Sequence, residues 1–520
     1  MTRGQAKKKS VTPKRAGSRE WLGLALILLP CIFYSMDFTV LHLAVPSLIA
    51  DLQPTSAQLL WIVDIYGFLL AGALVTMGVL GDRIGRRKLL LIGAALFGLA
   101  SALTAFAQTA EMLIAARALL GIAAATLAPS TLSLIRNMFA DPKQRTFAIS
   151  IWVAGFSAGA AIGPLVGGAL LAHFWWGSVF LIAVPMVLLL LGFGPRLLPE
   201  YKDPRPGRMD IASAALSLIA ILAVVYGIKQ IAVGEVGPVT VMAFLVSLVA
   251  TLVFLRRQQT LKTPFMDLKL FRSASFSAML VVYMLVLFTN FVSFLFIAQY
   301  LQLVLGMSSL QAGLWTLPWG LGFVAGSLGT APLAARIRPT FVITGGLAVA
   351  ATGFFMLTQL GAAGLPAIVI GSTLFSLGLA PPIALATDLI IGAAPPERAG
   401  TASGLSETAS ELGGAFGIAV IGSAATALYR GRLESDMPQG LAPHDAGAAL
   451  ETFGGALSVA GQLPKEVSSQ LEAAARGAFI DSVTLGFALC GITVLVAATL
   501  VVSVARKLKQ AEAKMPVDQT

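Results

Sequence analysis

The stretch 60-LWIVDIYGFLLAGALVTMGVLGDRIGRR-87 is apolar or small from Leu60 to Leu80, apart from the acid Asp64, and ends on a short basic segment. A run of this kind supplies the roughly 20 residues that a helix needs to cross a bilayer. Runs like it recur along the whole chain. Of the 520 residues, 57% are hydrophobic and 12% are charged, whereas about a quarter are charged in a soluble domain. Barrel strands would be about half as long and would alternate apolar with polar. The fold expected is therefore all-α, a polytopic membrane protein whose spans satisfy their own backbone groups.

Fourteen transmembrane helices are expected, at 22–45, 57–79, 88–107, 110–135, 146–171, 175–195, 210–230, 237–255, 276–303, 310–332, 340–360, 364–392, 399–428 and 477–505. The residues before Trp21 are basic and polar, without a small-residue cleavage site, and read as a cytoplasmic tail rather than a cleaved signal. The net charge of +11 raises the question of a nucleic-acid partner. The distribution of charge answers it. With the N-terminus inside, 30 of the 36 Lys and Arg fall on the inner side, five (Lys229, Arg430, Arg432, Lys465 and Arg476) on the outer side, and Arg117 within a span. That bias places both termini in the cytoplasm and makes the basic balance a matter of topology, with no nucleic acid implied. Cys31 and Cys490 lie alone in apolar spans, so neither a disulfide framework nor a metal site is indicated.

An internal echo divides the chain. Leu80, Arg83, Ile84 and Gly93 of 80-LGDRIGRRKLLLIG-93 recur as Leu333, Arg336, Ile337 and Gly346 of 333-LAARIRPTFVITGG-346. The expected plan is a tail at 1–20, a six-helix half at 21–196, a two-helix insert with its linkers at 197–272, a second six-helix half at 273–505 and a tail at 506–520. The two halves are expected to be pseudo-symmetric. Repeat-built transporters place their substrate between the halves, near mid-membrane. A long external loop, 429–476, precedes the last span, and 446–477 reads as two amphipathic helices broken at 463-LPKE-466.

Five acids fall well inside apolar runs: Asp37, Asp64, Asp388, Glu407 and Glu411. An ionisable group at that depth costs several kcal/mol, and so is a functional hypothesis by default. The structural alternative is pairing with a buried cation, but Arg117 is the only such cation the span boundaries allow. Most of these acids are then protonated, hydrated or waiting for a cation. Glu407 and Glu411 sit four residues apart in 403-SGLSETASELGG-414, on one helical face. They are expected to titrate as a coupled unit. His42 follows Asp37 by five residues, and Asp388 reads equally well as a hydrated acid at the end of its span. Tyr34, Phe38, Trp61, Tyr66, Phe294, Trp315 and Trp319 accompany the acids and suit flat organic cations; core packing is the alternative for each. In 155-GFSAGAAIGPLVGG-168, Gly155, Gly159 and Gly163 form a smooth packing face, followed by Pro164, Gly167 and Gly168.

Taken together these segments resemble the major facilitator superfamily. The loop 81-GDRIGRR-87 looks like its span 2–3 signature, and 155–168 like that of its proton-coupled drug exporters. Arg117 in 114-IAARALLGIAAA-125 looks like the family's span 4 arginine, and 37-DFTVLHLAVP-46 like the span 1 signature of the fourteen-span drug:proton antiporters. The stretches 60–85, 177-GSVFLIAVP-185 and 403-SGLSETASELGGAFGIA-419 are similar to the quaternary-ammonium and methyl-viologen exporters, the Qac and Smv type. Some of the Qac type carry an acid in span 10; 316-TLPWGLGFVAGSLGT-330 has none.

The resemblance implies a multi-pass transporter of a bacterial cytoplasmic membrane, acting as a monomer and driven by the proton gradient without a cofactor. Its partners would be protons, the lipid bilayer and small organic cations: quaternary ammonium biocides, cationic dyes and viologens. Asp37, Asp64, Glu407 and Glu411 would take protons and cations, and Arg117 would support the coupling. Gly81, Asp82, Arg83 and Arg86 would form a conformational latch, with Asp82 expected to cap the start of span 3. The alternative on the same fold is an exporter of an endogenous metabolite or lipid. A membrane enzyme would need a Ser/His, His/Asp or metal constellation, and the chain has only three His, two of them in or near loops. No Walker-type phosphate loop is present.

Overall fold

A computed structural model describes residues 15–202, 210–232, 237–261, 264, 266, 268–439 and 441–513. Of the expected tails, 1–20 and 506–520, residues 1–14 and 514–520 lie outside the described residues, as do the linker residues 203–209. So do the side chains of Phe38, His42 and Pro164. Fourteen long helices carry the fold: α1 (Ser18–Leu52), α2 (Ser56–Ile84), α3 (Arg86–Ala105), α4 (Ala110–Met138), α5 (Pro142–His173), α6 (Ala183–Leu197), α7 (Ile211–Ala232), α8 (Pro238–Thr260), α9 (Ala274–Gln299), α10 (Leu317–Arg336), α11 (Pro339–Leu357), α12 (Leu365–Ala393), α13 (Ala399–Ser435) and α14 (Lys465–Ala513). Among the described residues there is no strand.

Among the described residues, thirteen helical segments are long and apolar enough to cross a membrane. α10 falls short because its 20 residues include Gly320, Gly322, Gly326, Gly329, Pro318 and Pro332. It nevertheless runs as a crossing does. Gly322 approaches Thr373 and Ser376, and Gly326 approaches Leu377, so α10 is parallel to α12. Gly346 approaches Gly378, and Gly353 approaches Gly371, so α11 is antiparallel to α12. The count of fourteen is thus approximate by hydropathy, because glycine dilutes one helix.

Local chemistry sets the helix ends. Thr55 and Gln58 form a capping box at the start of α2. Asp141 accepts from the Lys143 amide, with Pro142 in the first turn of α5. α2 and α3 are separated by Gly85 alone, at φ 111°, a conformation that disfavours any side chain. A Cβ there would also meet the Glu200 carboxylate at 2.6 Å.

Both described ends of the chain lie at one face of the bundle. The Ala16 amide donates to Gln144 Oε1 at 2.8 Å, placing the start of α1 beside the start of α5. At the opposite face, Arg432 near the end of α13 meets Asp481 in α14 at 3.4 Å. α14 therefore returns to the face where α13 began.

α7 and α8 form a hairpin against α2 and α13. α8 lies at the periphery, with Val239, Met242 and Leu248 exposed, as a lipid-facing helix requires. The loop expected to be external, 429–476, differs from its sequence reading. α13 runs on to Ser435, short helices follow at Pro443–Glu451 and Phe453–Ala460, and the break at 463–464 is present. The second amphipathic segment is not a separate helix: Lys465 opens α14, which continues unbroken through the membrane. Its apolar face is used early, with Leu471 buried and Phe479 stacked on Phe453 at 5.0 Å.

The glycine-rich face of α5 packs on α1. A Cβ at Gly159 would sit 2.2 Å from the Ile32 carbonyl oxygen, while Gly155 and Gly167 face Leu28 and Val40. Gly159→Ala is therefore expected to lower stability by about 1–3 kcal/mol, the usual cost of overpacking. The thermal midpoint of the purified protein in detergent checks this. Gly192→Ala, with open space around it, is expected to be silent in the same assay.

Candidate functional site

The five intramembrane acids are placed very differently from one another. Asp37 on α1 is paired: Arg117 Nη1 lies 3.3 Å from its Oδ2, and both side chains are buried. The Arg117 Nε donates to the Ile62 carbonyl at 2.9 Å, and its guanidinium lies over the Tyr66 ring at 5.0 Å. The pair ties α1, α2 and α4 together.

Asp64 on α2 is paired too, with Lys229 of α7. The sequence reading counted Lys229 as external and Arg117 as the only intramembrane cation; both statements are corrected. Lys229 lies inside the apolar helix Ile211–Ile231, and its long stem carries the ammonium back to Asp64. Asp388 is not a hydrated span end. Arg145 Nε and Thr146 Oγ1 both donate to it at 2.6 Å. The argument that buried cations are scarce therefore applies to two acids, not five.

Those two are Glu407 and Glu411. Tyr34 Oη donates to Glu411 Oε1 at 2.8 Å, joining α1 to α13. Glu407 is 6% exposed, and its Oε1 is buried without a hydrogen-bond partner among the described residues. Cys31 and Tyr283 lie within electrostatic reach of it, and neither brings a positive charge. The Tyr66 hydroxyl, also buried and unpartnered, is within reach of both Asp37 and Glu411. Asp37, Tyr34, Tyr66, Glu411 and Glu407 thus share one electrostatic neighbourhood between α1, α2 and α13. Removing the phenol donor should matter less than removing an acid. Tyr34→Phe is expected to weaken a cation's hold on Glu411 by about tenfold, because the lost hydrogen bond favours the charged carboxylate that a cation needs. Ligand titration of the purified variant measures it.

At the face bearing the termini, α2 is latched to α13. Asp82 Oδ1 accepts from Arg86 Nε and Nη2 at 3.0 and 2.8 Å and from the Gly400 amide at 2.9 Å. Its Oδ2 accepts from the Thr401 amide and hydroxyl at 2.9 and 3.0 Å. Asp82 therefore does not cap span 3, whose first residue has no side-chain cap. It caps α13, more than 300 residues away in the chain. The reason is geometric. Asp82 lies on the last turn of α2, and its carboxylate meets the free amides of the first turn of α13, where an anion is favoured. Arg86 Nη2 also donates to the Pro396 carbonyl at 2.7 Å. Gly78 and Gly400 permit the approach: a Cβ on Gly78 would lie 2.3 Å from the Gly400 carbonyl. Gly81 is buried beside Leu89, and Arg83 is half-buried at the end of α2. The Arg145–Asp388 pair fastens α5 to α12 at the same face.

The aromatics divide into two groups. Tyr34 and Tyr66 face the acids. Trp319 is buried against Phe294, with ring centroids 5.5 Å apart, whereas Trp315 is 40% exposed. Trp61 is 46% exposed and lies beside Phe68, which in turn neighbours Tyr226. Sequence reasoning did not single out Phe68, Tyr226, Lys229 or Arg145. The spacing held one usable signal: Phe68 follows Asp64 by four residues, on the same helical face.

Comparison with known proteins adds four findings. Residues 27–418 match the family model described as Major Facilitator Superfamily. The chain is 44% identical over 488 residues to the "Multidrug efflux pump LfrA" of Mycolicibacterium smegmatis, covering 94% of this chain and 96% of that one. It is 38% identical over 491 residues to the "Methyl viologen resistance protein SmvA" of Salmonella typhimurium, covering 92% and 97%. Among solved structures, the human organic anion transporter MFSD10 aligns with a TM-score of 0.62 at 16% identity, over 93% of this chain and 99% of that one. That likeness concerns the fold alone.

Proposed function

Since the chain belongs to the major facilitator superfamily, and so is a membrane transporter and not an enzyme, we propose that it exports lipophilic organic cations in exchange for protons. The relatives described as a multidrug efflux pump and a methyl viologen resistance protein support drug efflux as the coarse reading. The observation that supports the finer reading is Glu407, an acid in the bundle interior with an oxygen that has no partner among the described residues. A carboxyl without a resident counter-charge must hold a proton or accept a cation, and those occupants exclude each other. Exchange follows from that exclusion. Quaternary ammonium biocides, cationic dyes and viologens are the substrate class, since they bring charge together with apolar surface.

In this proposal the latched face is the cytoplasmic one, with both termini there, in a bacterial inner membrane. The Asp82–Arg86–α13 latch and the Arg145–Asp388 pair close the cytoplasmic gate. Opening them would admit a cation to the acids. Closing them would expose the acids to external protons, which displace the cation. Asp37 with Arg117, and Asp64 with Lys229, would adjust the field around the central pair. No cofactor or nucleotide enters the scheme, and the protein works as a monomer.

Inverted membrane vesicles test it. With the lumen acidified, adding a quaternary ammonium cation should release protons from vesicles that contain the protein, and control vesicles should show no release. Proton release on adding an endogenous metabolite or lipid, with none on adding cations, would favour the other exporter reading and overturn this one.

A further inference from the structure

The helical hairpin α7–α8 delivers one charged side chain toward the acids, and its surroundings are unusual. On α2, Trp61, Asp64 and Phe68 are spaced three and four residues apart and share a face. On α7, Tyr226 and Lys229 do the same. The Lys229 ammonium pairs with Asp64 and also lies over the Phe68 ring, 4.6 Å from its centroid. Trp61 and Tyr226 flank that ring at 6.2 and 6.5 Å. One carboxylate plus several aromatic rings is the arrangement that binds an organic cation. Here the chain's own ammonium fills it.

We infer that Lys229 is a tethered stand-in for the transported cation, occupying the Asp64–Phe68 subsite until an organic cation displaces it. The inference rests on the export reading above and makes the subsite specificity-determining. Exposure supports displacement over a purely structural pair. The Lys229 and Asp64 side chains are 36% and 32% exposed, unlike the 2% and 8% of Arg117 and Asp37. A pair exposed to about a third is weaker and opens more readily than a buried one. An incoming quaternary ammonium has no N–H to donate, but it replaces the lysine's charge against Asp64 and its contact with the ring. Lys229 is also within electrostatic reach of Glu411, so its departure is felt by the central acids. This gives the inserted hairpin a role: it sets how strongly a cation must compete to enter. Small, strongly hydrated cations would fail to displace the lysine, and large aromatic ones would succeed.

The test uses the full-length protein in nanodiscs, with ethidium as the fluorescent organic cation. Lys229→Met removes the stand-in charge and keeps the apolar stem. It should bind ethidium about fivefold more tightly, the gain expected if a weak internal pair keeps about four fifths of the sites occupied. Lys229→Arg should bind as wild type does, and Asp64→Asn added to Lys229→Met should cancel the gain. Equal or weaker binding by Lys229→Met, with wild-type binding intact, overturns this inference and leaves the export reading standing. No ethidium binding by either protein overturns both. If Lys229→Met does not assemble, acetylation of wild-type Lys229 by an amine reagent, read by mass spectrometry, decides. Saturating ethidium should raise the modification several-fold, and an unchanged or lowered yield overturns the displacement.

Discussion

Glu407→Gln should abolish proton-driven cation export while leaving the folded protein intact. The amide keeps the size and polarity of the side chain but can neither release a proton nor oppose a cation. Losing a buried charge partner costs a bound cation about 2–5 kcal/mol, or at least thirtyfold in affinity. The structure separates this from a folding defect. The buried Oε1 of Glu407 has no hydrogen-bond partner to lose, and a buried amide is cheaper than a buried carboxylate. The thermal midpoint in detergent should stay level or rise as export disappears. Susceptibility of a pump-deficient host to quaternary ammonium compounds should return to the empty-vector level. Export at the wild-type rate by this variant would remove Glu407 from the mechanism.

Asp82→Ala is expected to have the second largest effect, through the gate and not the site. Asp82 and Arg86 are both buried, and Asp82 satisfies Arg86 as well as the first amides of α13. Breaking a buried pair on one side costs about 3–5 kcal/mol, because the other charge is stranded. That cost falls only on the latched conformation and shifts the population toward the unlatched one. Export should drop tenfold or more, since return to the latched state completes each cycle. Ser403, buried and 3.4 Å from Ser133 across the closed face, offers a reporter. In inverted vesicles, Ser403→Cys should react slowly with a membrane-impermeant maleimide and several-fold faster once Asp82→Ala is added. The native Cys31 and Cys490 are both buried and contribute little background. Equal labelling in the two backgrounds would show that Asp82 does not hold the gate.

Much of this architecture was legible because the membrane imposes it. A run such as 60–80 must be a helix, and basic segments such as 83–88 must gather on one side. The acids were legible for the same reason, since Asp37, Asp64, Glu407 and Glu411 stand out against apolar surroundings. Their partners were not. Arg117 is 80 residues from Asp37, Lys229 is 165 from Asp64, and Asp82 reaches an amide 318 residues on. No local pattern links such positions. Lys229 misled for a particular reason: it lies three residues from the end of α7, where a lysine ordinarily turns toward water, and this one turns inward to an acid on another helix. α10 was visible as a span by its place in the order, although glycine and proline lowered its hydropathy. The segment 465–476 read as a separate amphipathic helix of the loop because it is charged and follows Pro464, yet it forms the first turns of α14, with Leu471 and Ala475 buried.

The central claim is that protons and organic cations compete for Glu407. Proteoliposomes holding the purified protein, with an acidic lumen and a trapped pH-sensitive dye, measure it directly. Adding a quaternary ammonium cation outside should alkalinise the lumen in step with cation uptake for wild type, and should do neither for Glu407→Gln. Cation uptake without proton exit, or equal proton exit from the two proteins, would contradict the account.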